Sequence, residues 1–214
     1  MKKIIILLLA LTFLTSCGLN PPEPTLSPQG ASRVSVSSGG IPDFDALRQE
    51  DPNTCAWLYI PGTQISFPVV SLSPEETAIE TSLRLDNTRN NPDCSDPVVV
   101  LAGTPLHALQ GTFLSEDALT AYPTLTLYTP AGTLSYQTFA CGAYSNKDIL
   151  RNFLSFKNTE NIPLFVNQFL TYHTMIRVAD DSVSVSSSDR ILVLSAPLST
   201  DSSQNFLVLA YLNR

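Results

Sequence analysis

The stretch that decides the fold is residues 189–197, which read DRILVLSAP. Two charged residues, Asp189 and Arg190, precede an apolar run that ends shortly before Pro197. An apolar run bounded by charge on one side and by proline on the other is typical of a buried β-strand that ends at the rim of a sheet. We therefore predict a strand over residues 189–195, with Pro197 just beyond its end.

Short β-branched runs recur along the rest of the chain between turns rich in proline, glycine and asparagine, which predicts a mostly β domain. The other predicted strands cover residues 56–60, 65–70, 83–85, 98–102, 124–129, 133–143 and 205–212. Helical patterns cover residues 43–50, 74–81, 115–121 and 162–172. Patterning alone does not choose an arrangement for these strands, so the architecture has to come from specific motifs.

Several motifs, in their order and spacing, resemble those of the class B sortases. They are DFDAL at 43–47, WLYIPGT at 57–63, FPVV at 67–70, LDNTRN at 85–90, LYTPAGTLSY at 127–136 and the strand DRILVLSAP itself. The resemblance runs from Asp43 to the C-terminus and implies an eight-stranded β-barrel with peripheral helices. Because sortases cleave a sorting-signal peptide, it also implies a groove for an extended peptide.

The same resemblance assigns the three positions that carry sortase catalysis. The nucleophilic cysteine of the family corresponds to Pro197, and the family's arginine corresponds to Asn205, eight residues further on. The family's histidine corresponds to Thr104, within AGTP at 102–105 and before a predicted loop at 106–113. The chain is therefore expected to have none of the three catalytic side chains.

These substitutions remove the chemistry that peptide cleavage needs. Proline offers neither a nucleophile nor a backbone N–H. A threonine hydroxyl does not titrate near pH 7 as imidazole does, and asparagine lacks the charge and the bidentate fork of arginine. We expect a catalytically inactive, sortase-like binding or scaffolding protein whose candidate peptide groove, formed by Thr104, Ser195, Pro197 and Asn205, has a neutral floor.

Two other functions stay open on the sequence. One is a transpeptidase with a relocated nucleophile, either Ser195 with His107 as its base or the thiol of Cys94. Against it, Ser195 is expected to be an ordinary strand residue, because the family has serine there too, and His107 is expected to be an exposed loop residue. The other is a purely structural subunit of the cell surface.

The first 40 residues are predicted to target and tether the domain. Lys2 and Lys3 precede the apolar residues 4–13, a run too short to span a membrane, and LTSC at 14–17 resembles a bacterial lipobox. Residues 1–17 thus predict a lipoprotein signal peptide that ends at Cys17, the lipid anchor. Residues 18–40, rich in proline, serine and glycine, predict a flexible tether. Residues 41–214 are then a single barrel domain on the extracellular side of the cytoplasmic membrane.

The composition of the chain limits the classes of partner that it is expected to bind. The net charge of −7 argues against nucleic acid and against a domain that lies flat on an anionic membrane. The expected partners are the membrane, through the lipid anchor, and a surface-protein peptide or an active sortase. No cofactor and no metal are expected, since the chain has no glycine-rich phosphate loop and its histidines, His107 and His173, lie far from any cysteine pair or carboxylate cluster.

Three cysteines remain besides Cys17, and this odd number argues against a full disulfide framework. Cys55 and Cys141 belong to apolar strand segments and are expected to be buried small hydrophobic residues. Cys94 lies in the polar loop at 90–96 and is expected to be the exposed thiol.

Overall fold

Nine β-strands and four α-helices make up the part of the chain that the structure describes. This computed structural model describes residues 40–72, 81–145, 156–171, 177–198 and 201–213. The strands are β1 Thr54–Tyr59, β2 Ser66–Val70, β3 Leu83–Leu85, β4 Val98–Ala102, β5 Thr124–Thr129, β6 Gly132–Ser145, β7 Arg177–Ala179, β8 Ile191–Leu198 and β9 Asp201–Leu212. The helices are α1 Phe44–Glu50, α2 Ala108–Phe113, α3 Ala118–Ala121 and α4 Asn161–Thr171, with a 3₁₀-helix at Thr104–His107.

Eight of the strands close into a barrel. Hydrogen-bonded neighbours follow the order β5-β1-β2-β3-β4-β8-β9-β6, and β6 also pairs with β5, which joins the two ends of the sheet. The predicted eight-stranded barrel is confirmed, and its strands are the eight that the sequence predicts. The short strand β7, which the sequence analysis missed, pairs with β6. The helix predicted at 74–81 lies, except for Thr81, outside the described residues.

Strands β4 and β8 are buried on both faces, which explains their continuously apolar sequences. They pair in parallel, and their last pair is Ala102 with Ser195. Leu194 belongs to the core inside the barrel, whereas Val193 belongs to a second core between the barrel wall and α4. A strand covered on both faces needs apolar residues at every position, whereas a strand with one wet face alternates.

The strand predicted over residues 189–195 is longer than expected, because β8 continues through Pro197 to Leu198. Pro197 lies beyond the last pair with β4, so its missing N–H interrupts no bond to that strand. It pairs instead with Asn205 across the β8–β9 hairpin, and a register shift follows it. β9 likewise begins earlier than predicted, at Asp201.

The segment after β4 is helical, where the sequence predicted a loop. It forms the 3₁₀-helix and then α2, and Leu109 and Phe113 of α2 pack into the barrel core. Pro105 does not prevent this, because it lies in the first turn of the 3₁₀-helix, where the missing N–H is not needed. The helix predicted at 115–121 is reduced to the single turn α3. Within the described ranges, no helix is long and apolar enough to cross a membrane.

The cysteines of the described residues are all buried. Cys55 and Cys141 are 5% and 1% exposed, as expected. The prediction for Cys94 is wrong, since its side chain is 0% exposed. Cys94 does lie in a polar loop, but its backbone φ of 55° is in the left-handed region, and its side chain belongs to the barrel core.

Two buried groups that lose a proton at alkaline pH, the thiol of Cys141 and the phenol of Tyr136, predict that the protein is less stable at high pH. Burial raises the pKa of Cys141 from 9.0 to about 12 and the pKa of Tyr136 from 10.0 to about 12. The folded state therefore retains protons that the unfolded state releases. The free energy of unfolding should be at its full value below pH 9 and fall as the pH rises toward 12. Each group contributes a slope of up to about 1.4 kcal/mol per pH unit.

Urea unfolding at about pH 8 and about pH 10.5 measures this slope. The variants Cys141→Ala and Tyr136→Phe should each reduce it. Tyr136→Phe is a mild change, because the Tyr136 hydroxyl is buried and has no hydrogen-bond partner among the described residues. A slope that neither variant alters would contradict the prediction.

Candidate functional site

The three positions assigned to catalysis lie at the same end of three neighbouring strands. Thr104, an exposed residue, follows β4 and opens the 3₁₀-helix. Pro197 lies near the end of β8, and Asn205 lies opposite it on β9. Strands β4, β8 and β9 are consecutive in the sheet, and the 3₁₀-helix contacts β8. The fold therefore gathers positions that are far apart in the sequence, and with Ser195 we call them the candidate site.

Ser195, Pro197 and Asn205 project from the outer face of the barrel wall. Their neighbours Ala196 and Phe206 belong to the core inside the barrel, and side chains alternate between the two faces along a strand. Pro197 is exposed and Asn205 half-buried, whereas Ser195 is only 4% exposed. The candidate site is thus an open surface with a covered hydroxyl in its floor.

Ser195 is held by an amide and not by a base. The Nδ2 of Asn205 donates a hydrogen bond of 3.1 Å to the Oγ of Ser195. A serine nucleophile needs a titratable base within about 3 Å, and a carboxamide does not titrate. His107 is exposed on the 3₁₀-helix, and no hydrogen bond within the described ranges joins it to Ser195. Cys94 is buried in the barrel core. This geometry favours a structural role for Ser195.

Gly103 sets the turn that places Thr104. Its φ is 151°, a value that side-chain-bearing residues rarely adopt. A Cβ at this position would lie 3.2 Å from the carbonyl oxygen of Ser82 and 3.4 Å from the Cα of Leu83. Both are backbone atoms, so relieving the contact would require β3 itself to shift. Glycine therefore lets the chain turn directly from β4 into the 3₁₀-helix.

Gln110 is a contributor that the sequence analysis missed. The Nε2 of this residue donates a hydrogen bond of 2.9 Å to the carbonyl oxygen of Pro197, and the side chain is only 7% exposed. The bond fixes the end of β8 against α2. The sequence did contain a pattern that could have identified Gln110, because this polar residue interrupts the apolar stripe formed by Leu106, Leu109 and Phe113. A buried polar residue in such a stripe usually has a specific partner.

Two arginines, one on β3 and one in the loop that follows it, were also missed. Arg84 of β3 pairs with Ala102, which is itself the partner of Ser195 on the other side. Together with Arg89, it lines a cavity of about 340 Å³. Arg89 forms an ion pair with Asp86. The floor of the candidate site, which the sequence predicts to be neutral, therefore has guanidinium groups at its border, on the far side of β4 from β8.

Helix α4 forms the opposite border. Tyr144 of β6 is the partner of Asn205 across the β6–β9 ladder. Its hydroxyl accepts a hydrogen bond of 3.4 Å from Gln168, and its ring lies 5.9 Å from the ring of Phe169, both on α4. The candidate site is thus continuous with a packed helix on the outer face of the barrel.

A larger cavity, of about 770 Å³, lies at the opposite end of β9. Gln137, Tyr211 and the polar loop at 180–189 line it. The carboxylates of Asp180 and Asp189 already accept hydrogen bonds from serines within that loop. No group of three metal-ligating side chains occurs in the ranges that the structure describes. Convergence of the assigned positions, and not cavity size, therefore identifies the candidate site.

Comparison with solved structures identifies the fold. Clostridium perfringens sortase B is 21% identical, with a TM-score of 0.67 over 80% of this chain and 100% of that chain. Sortase B from the type II pilus of Streptococcus pneumoniae is 20% identical, with a TM-score of 0.67 over 80% and 98%. The Staphylococcus aureus sortase B–substrate complex is 18% identical, with a TM-score of 0.63 over 80% and 84%. The chain has the class B sortase fold.

This fold was expected from the motif resemblance, and the structural neighbours confirm it. No family model matches the chain, and no curated protein matches it. Within this sortase fold, the surface at the ends of β4, β8 and β9 carries a hydroxyl, a proline ring and a carboxamide. These are groups that can pack and form hydrogen bonds, and none of them ionises near neutral pH.

Proposed function

We propose that this protein is a lipid-anchored, catalytically inactive protein of sortase fold that binds an extended peptide of a surface protein at the outer face of the cytoplasmic membrane. One observation carries the proposal. Thr104 opens the 3₁₀-helix that contacts β8, and Pro197 of β8 pairs with Asn205 of β9. None of these three side chains is a thiol, an imidazole or a guanidinium.

The absence of cleavage follows from what those groups can do. Transfer through an acyl-enzyme requires a nucleophile, and proline has none. The hydroxyl of Ser195 is the nearest substitute, but it is covered and accepts its hydrogen bond from the carboxamide of Asn205. A buried hydroxyl without a base is not activated for attack.

Peptide binding is supported by the same surface. Extended peptides bind grooves through backbone hydrogen bonds and through pockets for alternate side chains. Thr104 offers an exposed hydroxyl and Asn205 a half-buried carboxamide, beside the exposed ring of Pro197. Staphylococcus aureus sortase B, which has the same fold, has been solved as a substrate complex.

The location is proposed from the N-terminal sequence. The lipobox at 14–17 supports attachment through a diacylglyceryl group on Cys17. The composition of residues 18–40 supports a tether, and a flexible chain of this length would span about 25–30 Å. The domain would therefore lie close to the bilayer, where newly exported surface proteins pass.

Titration of the isotope-labelled full chain with sorting-motif peptides tests the binding. We expect dissociation constants of about 10–100 µM, with amide shifts confined to the surroundings of Thr104, Ser195 and Asn205. Because the floor of the candidate site is uncharged and Arg84 lies beyond β4, salt should weaken the affinity only modestly.

Two matched variants make this test specific. Asn205→Ala should weaken binding by about 3–10-fold, through loss of one hydrogen-bonding group. Gln137→Ala, an exposed change at the distant cavity, should leave the affinity unchanged. If no peptide perturbs the candidate site, the groove is vestigial and the structural-subunit function replaces this proposal.

A further inference from the structure

A bulge in β1 turns the side chain of Cys55 into the barrel core. The register of β1 with β2 shifts between Thr54 and Ala56, so Cys55 is the extra residue. Neighbouring residues of a regular strand face opposite sides of the sheet. Here, both Cys55 and Ala56 belong to the barrel core.

Cys94 reaches the same core by a different route. Among the described residues, it is the one non-glycine residue with a positive φ, 55°. Its backbone N–H donates to the carbonyl of Asn91 at 3.0 Å, and its own carbonyl accepts from the Nη2 of Arg190 at 3.0 Å. These two bonds hold a conformation that residues with a side chain seldom adopt. The result is a thiol directed inward from a polar loop.

The two thiols meet in the core. The side chains of Cys55 and Cys94 interact directly, and both are thiols in this structure. We propose that Cys55 and Cys94 form a disulfide bond in the exported protein, which ties the start of β1 to the loop before β4. The thiol of Cys55 also donates to the carbonyl oxygen of Val69 at 3.4 Å, a bond that is lost when the disulfide forms. The thiol of Cys141 donates to the carbonyl oxygen of Phe113 at 3.2 Å, and the interaction between the described cysteines joins Cys55 and Cys94. The odd number of cysteines then divides into one pair and one buried thiol.

The reaction is a thiol–disulfide exchange with a disulfide-containing oxidant, such as an oxidised oxidoreductase or oxidised glutathione. The S–H bonds of both cysteines and the S–S bond of the oxidant break. The Cys55–Cys94 bond and two S–H bonds on the oxidant form, so two electrons and two protons pass to the oxidant. Disulfides persist in proteins outside the cytoplasm, which agrees with the predicted export.

Burial decides when this exchange takes place. The attacking species is a thiolate, and contact with Cys55 together with burial raises the pKa of Cys94 in the folded protein. The exchange therefore belongs to folding, before the core closes. Once formed, the bond is shielded from reductants by the same packing.

Peptide mapping tests the bond. The full chain is denatured, refolded in a glutathione redox buffer, and alkylated in denaturant without a reductant. Trypsin should then release peptides 49–84 and 90–147 as one linked species that reduction separates. Cys94 and Cys141 share the second peptide, so Cys141→Ala is the matched control and should keep the link. Cys94→Ala should lose it. Cys17 lies on peptide 4–33 and is distinguished by mass.

Thermal unfolding supplies the second readout. Protein that is unfolded and refolded in the presence of a reductant should have a Tm about 5–10 °C below that of the oxidised protein, for both the wild type and Cys141→Ala. The same treatment should not change the Tm of the double variant Cys55→Ala, Cys94→Ala. Alkylation of both Cys55 and Cys94 in the refolded protein would overturn the proposal, as would a link that disappears in Cys141→Ala. These outcomes are independent of peptide binding at the candidate site.

Discussion

Sorting-signal peptides incubated with this protein are expected to remain uncleaved, and no covalent peptide adduct should form. The reason is that the positions which the motif resemblance assigns to catalysis hold Thr104, Pro197 and Asn205, which supply neither a nucleophile nor a proton shuttle. Mass spectrometry of the peptide and of the protein measures both outcomes, with an intact class B sortase as the positive control. Turnover above the uncatalysed rate would contradict the expectation.

The triple variant Thr104→His, Pro197→Cys, Asn205→Arg tests whether only those three groups are missing. We expect its rate to stay about 10³-fold or more below that of an intact sortase, because a displacement of about 1 Å can cost about 100-fold at each group. The structure supplies specific obstacles. The carbonyl of residue 197 is fixed by Gln110, and replacing Asn205 removes the hydrogen bond that satisfies buried Ser195.

Labelling of the single variant Pro197→Cys with a thiol reagent provides the control for this test. Since position 197 is exposed, the new thiol should be labelled readily while the buried cysteines are not. If the triple variant cleaved peptides at the rate of an intact sortase, the surrounding scaffold would have to be regarded as fully preserved.

The second large effect is expected at the other end of the chain. Cys17→Ala should abolish incorporation of labelled fatty acid completely, because the proposed lipid attachment is through that sulfur. An acidic domain has little affinity of its own for an anionic bilayer, so the anchor carries the attachment. The measurement is radiolabelled palmitate incorporation, combined with detergent phase partition and gel mobility.

The variant should be found either in the aqueous phase or as an unprocessed precursor of lower mobility. Cys55→Ala is the matched control, since it removes another thiol and should leave lipid labelling intact. A Cys17→Ala protein that is labelled, partitions and migrates like the wild type would contradict lipid anchoring and, with it, the proposed location.

Much of the fold could be predicted because its information is local. The run at 191–197 and the run at 98–102 are apolar at nearly every position, and this pattern marks strands that are covered on both faces. The motifs around them, in their order and spacing, implied the eight-stranded barrel that the structure has. The assignment of Thr104, Pro197 and Asn205 followed from the same motifs. Asn205 lies eight positions after Pro197, which is the spacing between cysteine and arginine in the motifs that the chain resembles.

Several sequence predictions failed where long-range contacts override local preference. Residues 106–113 were expected to form a loop, but the side chains of Leu106, Leu109 and Phe113 pack into the barrel core and stabilise helical structure there. Cys94 lies among polar residues, but a positive φ and two backbone hydrogen bonds direct its thiol inward. Propensity is a weak prior, and tertiary packing decides such cases.

The sequence by itself determined the eight strands of the barrel, the family of folds that they resemble and the identities of the residues at the three positions assigned to catalysis. All of these depend on residue identity and on short spacings along the chain. The tertiary structure alone decided that Gln110 holds the end of β8, that Arg84 borders the floor and that Cys55 meets Cys94. These contacts join residues that are distant in sequence, and closure of the barrel fixes them.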